Sequence, residues 1–114
     1  MNVIMGGRQV GKSTKLIQMS AETGRYILVT NRKRAAMLVK QAEGMGLYIP
    51  YPVTLEDFHK SRFDGSYIRK DGIYIDDADD LLKQILNGIQ IHAMTITIDT
   101  FENEKHERID ICEA

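Results

Sequence analysis

The chain has 114 residues, 43% of them hydrophobic, with 15 Lys+Arg against 16 Asp+Glu and a net charge of −1. That composition fits one globular domain with a modest core, and it excludes wholesale disorder and a global positive field that recruits nucleic acid; any such contact must come from a local patch. The single cysteine, Cys112, excludes an intramolecular disulfide and a cysteine-built metal cage.

Read in chain order, the apolar run Val3-Ile4-Met5 predicts a short buried strand. Lys12 to about Glu22 predicts a helix, with Leu16, Ile17 and Met19 packed on a sheet and Thr23-Gly24 as its C-terminal cap. Tyr26–Thr30 is almost continuously apolar, the pattern of a strand covered on both faces. Asn31 is placed to cap a helix from about Arg32 to Glu43, whose stripe is Ala35, Ala36, Leu38, Val39 and Ala42. Gly44 and Gly46 end it. The stretch from Tyr48 to Pro52 is held extended by its two prolines. Val53 predicts a short strand, and Thr54-Leu55-Glu56-Asp57 a capping box for a brief helix ending near Lys60. Residues 61–72 are polar and without period, which predicts a loop. Ile73–Asp76 predicts a strand ending in acid, followed by a helix from about Ala78 to Asn87 with Leu81, Leu82, Ile85, Leu86 and Ile89 on one side. Ile91–Asp99 alternates apolar and polar residues and predicts another strand. In the charged tail, Arg108–Ile111 predicts a last one. No apolar run approaches membrane-spanning length, and the first strand begins with no signal segment before it, so a cytoplasmic protein with no membrane association is expected.

Two segments carry chemistry. Gly6, Gly7, Arg8, Gln9, Val10, Gly11, Lys12 and Ser13 satisfy the pattern Gly-x-x-x-x-Gly-Lys-Ser/Thr between a strand and a helix. Glycines let the backbone curl until several N–H groups point at one anion, and the helix N-terminus adds partial positive charge behind it. Lys12 is suited to the β- and γ-phosphates and the Ser13 hydroxyl to Mg²⁺; with Thr14 these are the candidate nucleotide-binding residues. The second segment, Ile73-Tyr74-Ile75-Asp76-Asp77, is an apolar strand with acid at its carboxyl end, where an α/β sheet presents its ligand. Asp76 is the candidate for holding Mg²⁺ through water, and Asp77 for orienting or deprotonating an attacking water.

Together these segments resemble the Walker A and Walker B motifs of P-loop NTPases of the additional-strand class, which includes RecA-like, AAA-type and helicase ATPases. The resemblance spans about residues 2 to 100, although only the two motifs are specific. It implies a three-layer α/β/α sandwich with a mostly parallel sheet, one minimal domain over residues 1–114, and ATP with Mg²⁺ as ligands. In that class a further strand separates the two motif strands and ends in a polar sensor. Ile91–Asp99 fits that strand, and Thr97, Asp99 and Thr100 are the sensor candidates, with Thr100 or Asp99 best placed. Gly6-Gly7-Arg8 with Gly11-Lys12-Ser13 looks like the phosphate loop of phage DNA-packaging terminases. Asp76-Asp77-Ala78-Asp79 looks like a helicase D-E-A-D box with aspartate for glutamate, and Gly11–Ile17 is similar to the loop of RecA-like thymidine kinases. These likenesses imply an ATPase in phage DNA metabolism, with an ATP-dependent switch or a small-molecule kinase as the alternatives.

Two departures bear on rate. Asp77 is one methylene shorter than the usual glutamate, and one small domain brings no arginine finger, which is worth several orders of magnitude. Slow hydrolysis follows, with Arg8, Arg62 or Arg69 available in cis or across a homo-oligomer interface, or a protein partner supplying the missing arginine. Arg32-Lys33-Arg34 opens a predicted helix, where cations oppose the dipole, an arrangement easier to understand if an anion docks there. These three are the candidate nucleic-acid contacts, with DNA as the expected partner.

Overall fold

A computed structural model of the chain describes residues 1–5, 11–59, 66–97, 100–102 and 108–110. Its elements in chain order are β1 (Asn2–Ile4), α1 (Lys12–Thr23), β2 (Ile27–Val29), α2 (Arg32–Gly44), β3 (Val53–Thr54), α3 (Leu55–His59), α4 (Ser66–Asp71), β4 (Tyr74–Ile75), α5 (Ala78–Ile85), β5 (Thr100–Glu102) and β6 (Arg108–Asp110). The protein is of the α/β class, with mostly parallel strand pairing. The chain divides into two compact units, Met1–Lys12 with Ile91–Ala114, and Ser13–Gln90.

The larger unit is built around β2. Its three residues are all buried and pair in parallel with β3 on one side (Leu28 opposite Val53, Val29 opposite Thr54) and β4 on the other (Ile27 opposite Tyr74, Leu28 opposite Ile75). Successive strand residues point to opposite faces, and the core follows that alternation. Ile27 and Val29 pack with Ile17 of α1 and with Ala35, Leu38 and Ala42 of α2. Leu28 packs with Val53, with Ile68 of α4 and with Leu81 of α5. A strand buried on both faces needs an unbroken apolar run, and Ile27-Leu28-Val29 supplies it.

Local chemistry fixes the helix ends. The Asn31 side chain accepts a hydrogen bond from the Arg34 N–H at 2.8 Å, which starts α2. The Asp57 carboxylate accepts from the Thr54 N–H at 2.9 Å while the Thr54 hydroxyl accepts from the Asp57 N–H at 3.2 Å, so the predicted capping box closes on both sides. Gly24 has φ +77° and its N–H donates to the Ser20 carbonyl at 2.8 Å, the left-handed cap expected after α1. Beyond β4 the ladder continues by one more bond, from the Asp76 N–H to the Leu28 carbonyl at 3.0 Å. Asp76 is thereby fixed at the carboxyl end of the parallel strands.

Three expectations are corrected. The predicted loop over residues 61–72 contains α4, a short helix with Ile68 buried against Leu28; residues 60–65 lie outside those described. The helix expected to reach Asn87 ends at Ile85, and the chain then turns through positive φ at Asn87 and Gly88. In the predicted strand Ile91–Asp99, residues 91–97 have no regular structure and Met94 and Ile96 are exposed, while Ile98 and Asp99 lie outside the described residues. The strand there is β5, starting at Thr100. In the smaller unit β5 pairs in parallel with β1 (Asn2 opposite Thr100, Ile4 opposite Glu102) and antiparallel with β6 (Phe101 opposite Ile109). The predicted last strand is therefore present as Arg108–Asp110.

Candidate metal and phosphate site

Three side chains from three elements converge at the carboxyl end of the β3-β2-β4 sheet. Asp76, immediately after β4, is 5% exposed. Ser13 stands in the first turn of α1 and donates its hydroxyl hydrogen bond to Asp76 Oδ1 at 3.3 Å. Arg34, in the first turn of α2, donates from Nε to Asp76 Oδ2 at 2.8 Å and from Nη2 to Ser13 Oγ at 2.5 Å. Each Asp76 oxygen thus accepts a hydrogen bond, and the buried carboxylate faces a guanidinium, as a buried charge must.

Packing holds the three in place. Ile17 and Ser20 bury α1, and the Ser20 hydroxyl donates to the Arg25 carbonyl at 2.6 Å, tying the end of α1 to the chain entering β2. Ala35, Leu38 and Ala42 bury α2. The Gln41 amide of α2 donates to the Thr14 hydroxyl of α1 at 3.0 Å, linking the two helices beside the site.

Asp77 is a different kind of residue. Its backbone lies at φ 59°, ψ 61°, the left-handed region, and its side chain does not cap α5. Non-glycine residues in this region carry strain, which clusters at functional sites. Its carboxyl is pushed up to about 6, first by a hydrogen bond with the Asp79 side chain, then by partial burial and by the charges of Asp79, Asp80 and Asp76. Acids in the first turn of a helix are favoured by its dipole, but crowded as they are here they also repel one another.

The other expected residues are distributed as follows. Gly6, Gly7, Arg8, Gln9 and Val10 lie outside the described residues, as does Arg62. Gly11 has φ +81° as the chain enters α1. Lys12 opens α1 and belongs to the smaller unit, as does Thr100 at the start of β5; Ser13, Asp76 and Asp77 belong to the larger. The basic cluster divides, because adjacent helix residues point in different directions. Arg32 forms an ion pair with Asp57 at 3.5 Å, and Arg32 and Lys33 line a cavity of about 390 Å³ with Thr30, Asn31 and Thr54 at the ends of β2 and β3. Arg34 is committed to Asp76 and Ser13 instead. Its role escaped sequence reading, although the signal was present. A cation in the first turn of a helix implies a nearby anion, and that anion is the chain's own Asp76.

Among the described residues no group of three or more His, Cys, Asp or Glu converges as a metal cage. A buried carboxylate beside a hydroxyl is a sparse, hard-oxygen donor set. It suits Mg²⁺, which keeps several waters and takes its remaining ligands from phosphates. Among the described residues no helix is long and apolar enough to cross a membrane. Comparison with protein-family models, with curated proteins and with solved structures yields no match.

Proposed function

We propose that the chain is a nucleoside-triphosphate-binding protein of the P-loop type, a slow Mg²⁺-dependent ATPase linked to DNA. The observation that carries this reading is the meeting of Ser13 and Asp76. They are 63 positions apart in sequence, each is the metal-binding member of its motif, and their side chains are 3.3 Å apart. The burial of Leu28 and of Ile27 and Val29 against helices on opposite faces is also what a doubly covered P-loop sheet requires.

In this reading the sequence pattern of residues 6–13 is the support for phosphate binding, and Ser13 and Asp76 would hold the Mg²⁺ that accompanies the phosphates. A Mg²⁺ held by Ser13 and Asp76 would supply neutralisation of the phosphate charge. Asp77 holds the attacking water and accepts its proton. A carboxyl with its pKa near 6 is a stronger base than an ordinary aspartate and is still mostly ionised at pH 7. Thr100 is the sensor candidate that the sequence resemblance implies. Arg32 and Lys33, which line the cavity together with Glu56, would be the local basic contacts for a DNA backbone that the overall charge does not supply.

One observation favours a second reading, an ATP-dependent switch that binds a partner without turnover. The Asp77 side chain is hydrogen-bonded to Asp79, which competes with any water for it. Phosphate release from Mg-ATP, measured alone and with single- and double-stranded DNA beside a Lys12→Ala control, separates the two. Slow turnover that rises with DNA and vanishes in the control supports the ATPase. Nucleotide binding without turnover under any condition supports the switch.

A further inference from the structure

Arg34 occupies the point where the two candidate metal ligands meet. Its Nε and Nη2 take up Asp76 Oδ2 and Ser13 Oγ at 2.8 and 2.5 Å, and the Ser13–Asp76 hydrogen bond at 3.3 Å closes a three-membered ring of polar contacts. The arrangement rests on α2 itself. Arg34 is the residue whose N–H the Asn31 cap receives, and the next residue, Ala35, is buried, so the arginine's departure direction from the helix is fixed. Its side chain remains 31% exposed, which leaves room for it to swing toward solvent without disturbing the core. A divalent ion bound to Ser13 Oγ and Asp76 would displace the Ser13 proton from its carboxylate acceptor and bring a second positive charge within a few ångströms of the guanidinium.

We propose that Arg34 is a built-in counter-cation of the metal site, which competes with the divalent ion for Ser13 and Asp76 and is displaced when the ion binds. The inference rests on the reading of Ser13 and Asp76 as metal ligands. An arginine suits this role better than a lysine, because its planar fork satisfies both groups at once and stays charged at every physiological pH. It preserves the site geometry and keeps the buried carboxylate neutralised before nucleotide arrives. It also makes ion binding conditional. A free ion gains two protein ligands against an existing cation, whereas an ion arriving with phosphates brings new acceptors for the guanidinium it displaces.

Mn²⁺, followed by electron paramagnetic resonance, is the probe. Titrated into nucleotide-free protein, Mn²⁺ should bind Arg34→Ala and Arg34→Gln on the order of tenfold more tightly than wild type, the scale of removing one like charge from a partly solvated site. Adding Asp76→Asn to either variant should abolish the gain. Equal or weaker Mn²⁺ binding in both folded Arg34 variants overturns the proposal and makes Arg34 a structural ion pair only. Should either variant fail to fold, wild type itself decides through the Arg34 Nε–H resonance. That signal should shift as Mn²⁺-matched concentrations of diamagnetic Mg²⁺ saturate the site with ATP present, and a signal unmoved at saturation overturns the proposal. Binding of a fluorescent ATP analogue is measured alongside. Its absence overturns the nucleotide reading, while the Mn²⁺ comparison decides the competition independently.

Discussion

Asp77 shows how much one residue's backbone and neighbours decide. Its positive φ costs an L-residue about 1 kcal/mol or more, a cost glycine does not bear. Asp77→Gly is therefore expected to stabilise the fold by up to about 1 kcal/mol in urea denaturation, while removing the proposed water-holding carboxylate and with it any turnover. The same carboxyl makes stability depend on pH. Its value is about 6 in the folded protein against an ordinary 3.8, so the folded state binds the proton more tightly than the unfolded chain. Its contribution is fully present below about pH 3.8 and is lost as pH rises through about 6. Unfolding free energies measured between those limits should fall with rising pH more steeply in wild type than in Asp77→Asn, and equal slopes would refute the assignment. Turnover should move the opposite way, rising through about pH 6 as the base ionises.

At the scale of elements, the features governed by neighbours in sequence were legible and those governed by distant ones were not. Asn31 as a cap, the Thr54–Asp57 box and the Gly24 turn are local hydrogen-bond solutions, and each is present as read. α4 was not legible. Six residues make less than two turns, too few to show a period, and what stabilises them is the burial of Ile68 against Leu28. The alternation of Ile91–Asp99 was legible as amphipathicity, but alternation does not name a partner strand, and the pairing with β1 begins at Thr100 instead. Within the site, Ser13 and Asp76 were legible through their motifs, whereas Arg34 depends on tertiary placement. The Asn31 cap links the two levels. Asn31→Ala should cost about 1 kcal/mol of stability in chemical denaturation. It should also loosen the first turn of α2, so that the Arg34 Nε–H signal broadens while Asn31→Asp retains both stability and signal. A cap variant that loses stability with the Arg34 signal unchanged would show that Asp76 alone positions the arginine.

For the molecule as a whole, stability is concentrated around β2, the strand on which helices of both faces depend. Leu38 is fully buried against Ile27 and Val29, and Leu38→Ala should cost about 2–5 kcal/mol, the range for emptying a core position. In a small domain that is a large share of the total, so partial loss of soluble protein is the expected accompaniment. Amide hydrogen exchange resolves the same distribution along the chain. Residues Ile27–Val29, buried and paired on both sides, should exchange only through opening of the larger unit. Residues 92–97 are exposed and without regular structure, so their amides should exchange at close to the rate of an unstructured peptide. The comparison tests sequence against fold directly, because this is the stretch whose alternation predicts a strand. Slow exchange at alternate residues between Met94 and Thr97 would mean that the segment is paired after all, extending a ladder beyond the strands described. Fast exchange there, with protection confined to β2 and its neighbours, would leave the pairing strand starting at Thr100 and the Thr/Ile alternation as a pattern without a partner.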